Sequence, residues 1–257
     1  MKRLAFLPFL FLLSCFSLSS NYSDIRVSKV IDGDTIILEN GKHLRLIGID
    51  TPEVKKYVSG KFEYSPQPFS LEAKEFVNNL IGGKRIRVEF DIDRKDKYNR
   101  LLGYCFFNNG GKSIFVNEQL LKEGLAVLYT YPPNIKYVDK FISAQKYARL
   151  SKKGIWGSYL LIPPDRAENF IGQIRAVRGR VLSSYKSEKI LLLNFGADYK
   201  TDFTVVIFKD SWPYFLNRGI DPETFYKGKI VEVTGRVREY NGPEIIVNYP
   251  AEIRVIE

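Results

Sequence analysis

The stretch that decides the fold of this chain is Val30–Glu53, VIDGDTIILENGKHLRLIGIDTPE. Apolar residues flank the dipeptide Asn40-Gly41, which tolerates the positive φ angles of a tight hairpin turn. A two-residue loop at this dipeptide predicts that Ile36 faces Arg45 across the two strands. The stretch therefore predicts a β-hairpin with acidic residues at both ends.

The acidic ends of the hairpin carry the candidate chemistry. Asp34 lies before the first strand, and Asp50, Thr51 and Glu53 follow the second strand. Because side chains alternate along a strand, Asp34 and Arg45 are predicted to share one side of the ribbon. Hard cations such as calcium prefer an oxygen-rich shell without cysteine. The hairpin therefore predicts a cation site with an arginine beside it.

Three separated motifs carry a resemblance to a known family. IDGDT (31–35), LRLIGIDTPE (44–53) and DKYNR (96–100) occur in the order found in the staphylococcal nuclease, or thermonuclease, family. The resemblance implies a mainly β fold with α-helices (α+β), built as a five-stranded OB-like barrel plus helices. It also implies hydrolysis of phosphodiester bonds in DNA and RNA by a calcium-dependent enzyme.

The resemblance further implies a role for individual residues. The implied calcium ligands are Asp34, Asp50 and the carbonyl of Thr51, with Asp32 nearby through water. The implied general base is Glu53, and the implied phosphate-binding arginines are Arg45 and Arg100. The implied substrate-binding residues are Lys97, Tyr98, Tyr129 and Tyr131.

The N-terminal 20 residues have the layout of an export signal. A basic start is followed by an apolar run and a tail of small residues. The sequence around Cys15 resembles a bacterial lipoprotein cleavage box, so lipidation of Cys15 and plain cleavage near Ser20 both stay open. The expected location is outside the cytoplasm, either secreted or periplasmic, or anchored to the cell envelope through a lipidated Cys15. No protein partner is predicted.

The histidine and cysteine counts exclude several kinds of site. His43 is the one histidine of the chain, which excludes a histidine-based metal site and a Ser-His-Asp triad. Removal of a signal that includes Cys15 would leave Cys105 without a partner for an internal disulfide. An exported protein of this kind must rely on its hydrophobic core.

The 257 residues are enough for two modest domains. We assign residues 21–160 to the nuclease-like domain and residues 161–169, which include Pro163-Pro164, to a linker. Residues 170–257 contain five strand-like runs with an interruption around Trp212. This arrangement resembles a second small OB-like β-barrel.

The charge differs between the two halves. Residues 21–164 hold 23 basic and 16 acidic residues, whereas residues 165–257 hold 14 basic and 13 acidic ones. The basic excess of the first half suits a polyanionic substrate. The balanced second half predicts few phosphate contacts, so a chain ending near Leu161 is expected to keep its chemistry.

Local patterns give further predictions within the first half. Val54–Phe69 is rich in Lys, Tyr, Ser and Pro and predicts a loop, after which Ser70 is predicted to cap a helix. Gly48 stands where the family has a larger apolar residue, which indicates a bulge or bend. Asn99 precedes Arg100 and tolerates a left-handed backbone.

Two other functions stay open at this point. This fold also occurs in catalytically silent nucleic-acid-binding proteins, and a calcium-stabilised surface lipoprotein would explain the carboxylates. The presence of Arg45, Glu53 and Arg100 together favours the enzyme, because neither alternative requires all three.

Overall fold

The computed structural model describes residues 22–157, 160–198 and 200–257. The predicted export signal, with Cys15, lies outside these residues. Within the described ranges, no helix has both the length and the apolar character needed to cross a membrane.

The N-terminal half is a closed barrel with helices packed around it. Its strands are β1 (Tyr22–Val30), β2 (Thr35–Leu38), β3 (His43–Leu46), β4 (Gly48–Asp50), β5 (Lys55–Val58), β6 (Lys61–Tyr64), β7 (Arg85–Lys95), β8 (Leu101–Asn109), β9 (Lys112–Phe115) and β10 (Val127–Tyr129). Its helices are α1 (Ser70–Ile81), α2 (Val116–Lys122) and α3 (Val138–Leu150), followed by a 3-10 turn at Gly154–Trp156. Strands pair in the order β3-β2-β1-β7-β8, and β8 returns to pair in parallel with β3.

Alternating apolar residues fill the interior of this barrel. Val27, Ile36, Leu44 and Val88 come from four of its strands and are fully buried. Val77 of α1 belongs to the same core, so the helix closes one side of the barrel. The five-stranded barrel with helices that the resemblance implied is confirmed, and the pairing of β3 with β8 closes it.

The register of the β2–β3 hairpin differs from the prediction by one residue. Ile36 lies opposite Leu44, and Arg45 lies opposite Thr35 instead of Ile36. The loop has three residues rather than two, and Gly41 takes φ +77° at its end. A three-residue loop of this kind forms a type I turn with a glycine bulge. A one-residue slip reverses the face of every side chain on one strand, so the predicted reason for the Asp34–Arg45 contact was wrong.

The segment predicted as a loop, Val54–Phe69, contains a second hairpin. Strands β5 and β6 pair antiparallel, with Lys55 opposite Tyr64. The turn residues Ser59 and Gly60 both have positive φ angles, as two-residue hairpin turns require. The aromatic side chains of this hairpin are exposed, so no buried face marks its strands, and the Lys, Tyr, Ser and Pro content of the segment led to the loop prediction.

Ser70 does not cap helix α1. The residue before the helix is Phe69, and Ser70 is the first residue of the helix itself. The hydroxyl of Ser70 donates a hydrogen bond to the carbonyl of Gln67 at 2.6 Å. A buried hydroxyl used in this way stabilises the turn before the helix instead of the free amides at its start.

The C-terminal half, which we call the second barrel after the OB-like fold expected for it, consists of two β-sheets that pack around one hydrophobic core. Its strands are β11 (Leu161–Ile162), β12 (Ile174–Arg180), β13 (Ser183–Lys186), β14 (Ile190–Asn194), β15 (Thr204–Phe208), β16 (Ile230–Arg236), β17 (Arg238–Glu239), β18 (Pro243–Ile246) and β19 (Ile253–Val255). Its helices are α4 (Trp212–Leu216) and α5 (Pro222–Phe225), with 3-10 turns at Pro164–Phe170, Lys209–Ser211 and Pro250–Glu252. The two sheets have the orders β11-β12-β16-β19 and β13-β14-β15-β18-β17. Strands β15 and β18 pair in parallel, as β3 and β8 do in the first barrel.

The stretch assigned to a linker is packed against the second barrel. Strand β11 pairs in parallel with β12, and the 3-10 turn Pro164–Phe170 buries Ala167 in the second core. A separate buried cluster joins the two halves through Ile155 and Leu160 on one side and Ile174 on the other. The second barrel is therefore held against the first by apolar contact as well as by the chain.

Buried carboxylates also tie the two halves together. Glu252 accepts hydrogen bonds from the Thr130 amide at 2.7 Å and the Asn248 amide at 2.8 Å, and the Thr130 hydroxyl donates to the same carboxylate. Burial raises the pKa of Glu252 to about 7. The side chain of Asn248 donates back to the Thr130 carbonyl at 3.0 Å. This network fixes β10, which borders the predicted site, against the second barrel.

Candidate active site

The three sequence motifs meet around one cavity of about 740 Å³. Of the predicted site residues, those that line it are Asp34, Arg45, Asp50, Glu53, Lys97, Tyr98, Arg100, Tyr129 and Tyr131. Thr51 lies beside the cavity with a buried side chain. The fold therefore brings together residues that are up to 97 positions apart in the chain.

The turn that carries Asp34 is locked to Thr51. One oxygen of Asp34 accepts hydrogen bonds from both the amide and the hydroxyl of Thr51, each at 3.0 Å. The Asp34 amide donates to Asp32 at 3.1 Å. A side chain at Gly33 would meet the methyl group of Ala73 at 2.7 Å, so only glycine allows the turn to pack this closely on helix α1.

Strand β4 carries Asp50 to the cavity that Asp34 also lines. It pairs antiparallel with β10, with Asp50 opposite Val127. Gly48 begins β4 with φ +82°, and a Cβ there would overlap the ring of Phe141. The bend predicted at Gly48 is confirmed, and its cause is the close approach of helix α3.

Arg45 bridges the two aspartates. Its guanidinium contacts Asp34 at 2.6 Å and Asp50 at 3.0 Å, and donates to the Leu46 carbonyl at 3.1 Å. The side chain is only 14% exposed. The planar guanidinium is thus held in one orientation by three acceptors, which a lysine ammonium could not copy.

The carboxylates around Arg45 raise one another's pKa values. Burial raises the pKa of Asp34 to about 7, and the neighbouring Asp32 and Asp50 add to the effect. Burial followed by repulsion from Glu53 raises the pKa of Asp32. Burial also raises the pKa of Glu53, with further repulsion from Asp34 and Asp50. Burial and mutual repulsion therefore both favour protonation of these carboxylates in the absence of a bound cation.

Arg100 approaches the cavity from the loop between β7 and β8. Its backbone amide and its Nε both donate to Asp96, at 2.9 and 2.7 Å. Asn99 takes φ +63°, which confirms the left-handed backbone predicted there. Tyr98 lies beneath both Lys97 and Arg100, at 5.1 and 5.7 Å from the ring centre. The loop thus offers two cations and one exposed aromatic ring to the cavity.

An arginine that the sequence analysis missed comes from the second barrel. The guanidinium of Arg236, at the end of β16, donates to the Thr51 carbonyl at 2.9 Å. It also contacts Asp50 at 3.0 Å and Glu53 at 3.3 Å. No local motif marks Arg236, because its role depends on how the second barrel packs against the first.

The donor set fits a hard divalent cation by its chemistry. Among the described residues, no three His, Cys, Asp or Glu side chains form a ready cluster for a metal ion. Guanidinium groups contact the proposed oxygen donors: Arg45 contacts Asp34 and Asp50, and Arg236 contacts Asp50 and the Thr51 carbonyl. When all are ionised, the four carboxylates of Asp32, Asp34, Asp50 and Glu53 exceed the two buried guanidinium groups of Arg45 and Arg236 by two charges. Oxygen donors with this excess charge suit calcium.

In a comparison with known proteins, residues 43–158 match the family model described as staphylococcal nuclease homologue. The chain is 42% identical over 144 residues to a thermonuclease of Staphylococcus hyicus, covering 54% of this chain and 79% of that protein. It is 42% identical over 138 residues to the endonuclease YncB of Bacillus subtilis, covering 52% of this chain and 61% of that protein. A thermonuclease of Staphylococcus intermedius is 41% identical over 134 residues, with 51% and 74% covered. Residues 159–257 lie outside the family match.

Proposed function

Because the chain belongs to the staphylococcal nuclease family, we propose that it is a calcium-dependent endonuclease that hydrolyses both DNA and RNA. Family membership makes it a nuclease of this type. The cation, the substrate range and the roles of single residues are our proposal. Its main support is the convergence of Asp34, Arg45, Asp50 and Glu53 on one cavity, with Arg100 on its rim.

The carboxylates of Asp34 and Asp50 and the carbonyl of Thr51 would hold the calcium ion, with Asp32 acting through water. The amide and the hydroxyl of Thr51 both donate to Asp34, so these two residues are already held side by side. When bound, calcium would neutralise negative charge on the scissile phosphate.

Glu53 would take a proton from the attacking water. Its side chain lines the cavity and is 44% exposed, and partial burial raises its pKa above the ordinary value, which makes the carboxylate a stronger base. The Glu53 amide donates to Gln67 at 3.0 Å, which fixes the backbone that carries the base. Water can therefore reach Glu53 while its position stays defined.

Arg45 and Arg100 would bind the phosphoryl oxygens from two sides. Arg45 is oriented by Asp34 and Asp50, and Arg100 by Asp96. Such charge-assisted pairs gain strength as negative charge builds up in the transition state. Lys97, Tyr98, Tyr129 and Tyr131 would contact the sugar, base or adjoining phosphate.

A catalytically silent nucleic-acid-binding protein is the second candidate function. The basic loop and exposed Tyr98 and Tyr131 would serve such a protein equally well. The buried Arg45 and the raised pKa of Glu53 favour catalysis, because binding alone does not require either feature.

Removal of calcium is expected to abolish cleavage. We expect DNA and RNA to be cut in millimolar calcium and to stay intact in EGTA, with activity restored when excess calcium is added back. Magnesium is expected to be a poor replacement, because it demands a tighter octahedral shell. Equal cleavage in calcium and after exhaustive chelation would refute the calcium requirement, and binding without cleavage in calcium would support the silent binding protein.

We also propose that the protein is exported, on the strength of Lys2, Arg3, the apolar run and Cys15. Mass spectrometry of the protein from its native host is expected to show loss of the first residues. A diacylglyceryl group on Cys15 would mean a membrane-anchored enzyme, whereas a start near Asn21 would mean an unanchored one. An intact Met1 would refute export.

A further inference from the structure

Arg236 reaches the proposed calcium ligands from outside the family domain. One of its terminal nitrogens lies 2.9 Å from the Thr51 carbonyl, 3.0 Å from Asp50 and 3.3 Å from Glu53. Its Nε lies 3.2 Å from the same oxygen of Asp50. The side chain is only 18% exposed, so this is a buried network rather than a surface ion pair.

The second barrel fixes Arg236 in this position. Arg236 lies opposite Ile174 in the β12–β16 pairing, and its other terminal nitrogen donates to the Gly172 carbonyl at 2.7 Å. The neighbouring Val237 exchanges two backbone hydrogen bonds with the same stretch, with Gly172 at 2.8 Å and Gln173 at 2.9 Å. The guanidinium is therefore held from two sides, by the Gly172 carbonyl of the second barrel and by Asp50 and the Thr51 carbonyl of the site.

We propose that Arg236 is a tethered cation that competes with calcium for the oxygens of Asp50 and Thr51. This inference rests on the proposed function for the identity of the ligands. Two of the three proposed calcium ligands accept hydrogen bonds from Arg236. A guanidinium and a calcium ion a few ångströms apart repel each other strongly in a buried site, because solvent screening is weak there. Calcium binding thus requires Arg236 to withdraw.

The competition links the cation to the contact between the two barrels. If Arg236 raises the calcium concentration needed to fill the site, then calcium must weaken the contacts of Arg236 by the same factor. The second barrel would therefore set the calcium threshold of the first. In the absence of calcium, Arg236 supplies positive charge to a cluster of carboxylates that would otherwise repel one another.

Calcium titration of charge-neutral variants tests this role. We expect Arg236→Met and Arg236→Gln to bind calcium more tightly than the wild type, by roughly tenfold, within the usual range of coupling between sites. Arg236→Lys keeps the charge and is expected to lie closer to the wild type than either neutral variant. Arg254→Met is the matched control, because Arg254 is a cation of the same barrel that pairs with Glu232 and does not line the cavity.

Isothermal titration calorimetry without nucleic acid measures these affinities independently of nuclease activity. Circular dichroism of each variant shows whether it is folded, and Arg236→Gln retains hydrogen-bonding groups if Arg236→Met does not fold.

Unchanged or weaker calcium binding by the folded neutral variants would overturn the competition and leave the nuclease proposal intact. Calcium binding by the neutral variants but not by the wild type would support the competition and refute the calcium requirement. Absence of calcium binding in every variant would overturn both.

Hydrogen exchange gives a second readout of the link between the sites. We expect saturating calcium to speed amide exchange in peptides that contain Gly172 or Val237 of the wild type, since these amides border the Arg236 anchor. The same peptides of Arg236→Met are expected to show no calcium effect. Slower exchange of these peptides in wild type with calcium would show that calcium tightens the contact, and would overturn the competition.

Discussion

Replacement of Arg45 by lysine is expected to lower kcat by about 10²- to 10³-fold at saturating calcium, with the fold retained. Arg45 contacts Asp34 and Asp50 at the same time, and its planar group offers donors in fixed directions. A lysine keeps the charge, but its donors lie on one nitrogen and cannot reach two separate acceptors in the fixed plane of a guanidinium. The proposed contact between Arg45 and the phosphoryl oxygens strengthens in the transition state, so its loss should lower kcat more than it raises KM. Arg100→Lys is expected to show a loss of the same order.

Steady-state cleavage of a labelled oligonucleotide measures both variants. Arg87→Lys is a suitable control, because Arg87 pairs with Glu89 on the same barrel and does not line the cavity. Thermal unfolding separates a catalytic loss from a folding defect. Wild-type kcat for either variant would mean that this arginine does not stabilise the transition state.

Replacement of Glu232 by glutamine is expected to lower the free energy of unfolding by about 2 kcal/mol, since the buried carboxylate loses its charge-assisted hydrogen bonds and three partly exposed guanidinium groups lose their counter-ion. Glu232 is 3% exposed and is contacted by Arg149 of helix α3 and by Arg178 and Arg254 of the second barrel. Although burial disfavours its charged form, hydrogen bonds from Arg149 and Arg178 hold the pKa of Glu232 below its ordinary value. The carboxylate therefore joins the two halves through their arginines.

Urea unfolding followed by tryptophan fluorescence measures this loss. Glu123→Gln is the control, because Glu123 forms a partly exposed pair with Lys153 at 2.9 Å within the first half. Exposed pairs of that kind contribute about 0–1 kcal/mol. A Glu232 variant no less stable than the Glu123 variant would show that the buried cluster does not hold the halves together.

The hairpin shows where sequence patterns predicted the right contact for the wrong reason. The pattern of apolar residues around Asn40-Gly41 predicted the hairpin, and the flanking motifs predicted which carboxylates and arginine would meet. The loop length was wrong by one residue, which moved Arg45 from opposite Ile36 to opposite Thr35. Arg45 still reaches Asp34, because Asp34 lies in the turn before β2 and is not bound to the alternation of the strand.

The charge balance of the second barrel did not predict its contact with the proposed site. The balance of 14 basic and 13 acidic residues predicted few phosphate contacts and a chain ending near Leu161 that keeps its chemistry. The structure places Arg236 of this barrel on Asp50, Thr51 and Glu53, and buries Leu160 and Ile174 between the halves. A chain ending near Leu161 would lose these contacts, and that it keeps its chemistry stays a prediction.

The sequence by itself determined the first barrel, its family and the residues of its cavity, because those features depend on short motifs and on apolar alternation along single strands. The tertiary structure alone decided the hairpin register, the strands of Lys55–Tyr64 and the place of Arg236. Register depends on turn geometry, and the exposed hairpin lacks a buried face to mark it. The position of Arg236 depends on the packing of two barrels, and a contact between residues 185 positions apart leaves no local pattern in the chain.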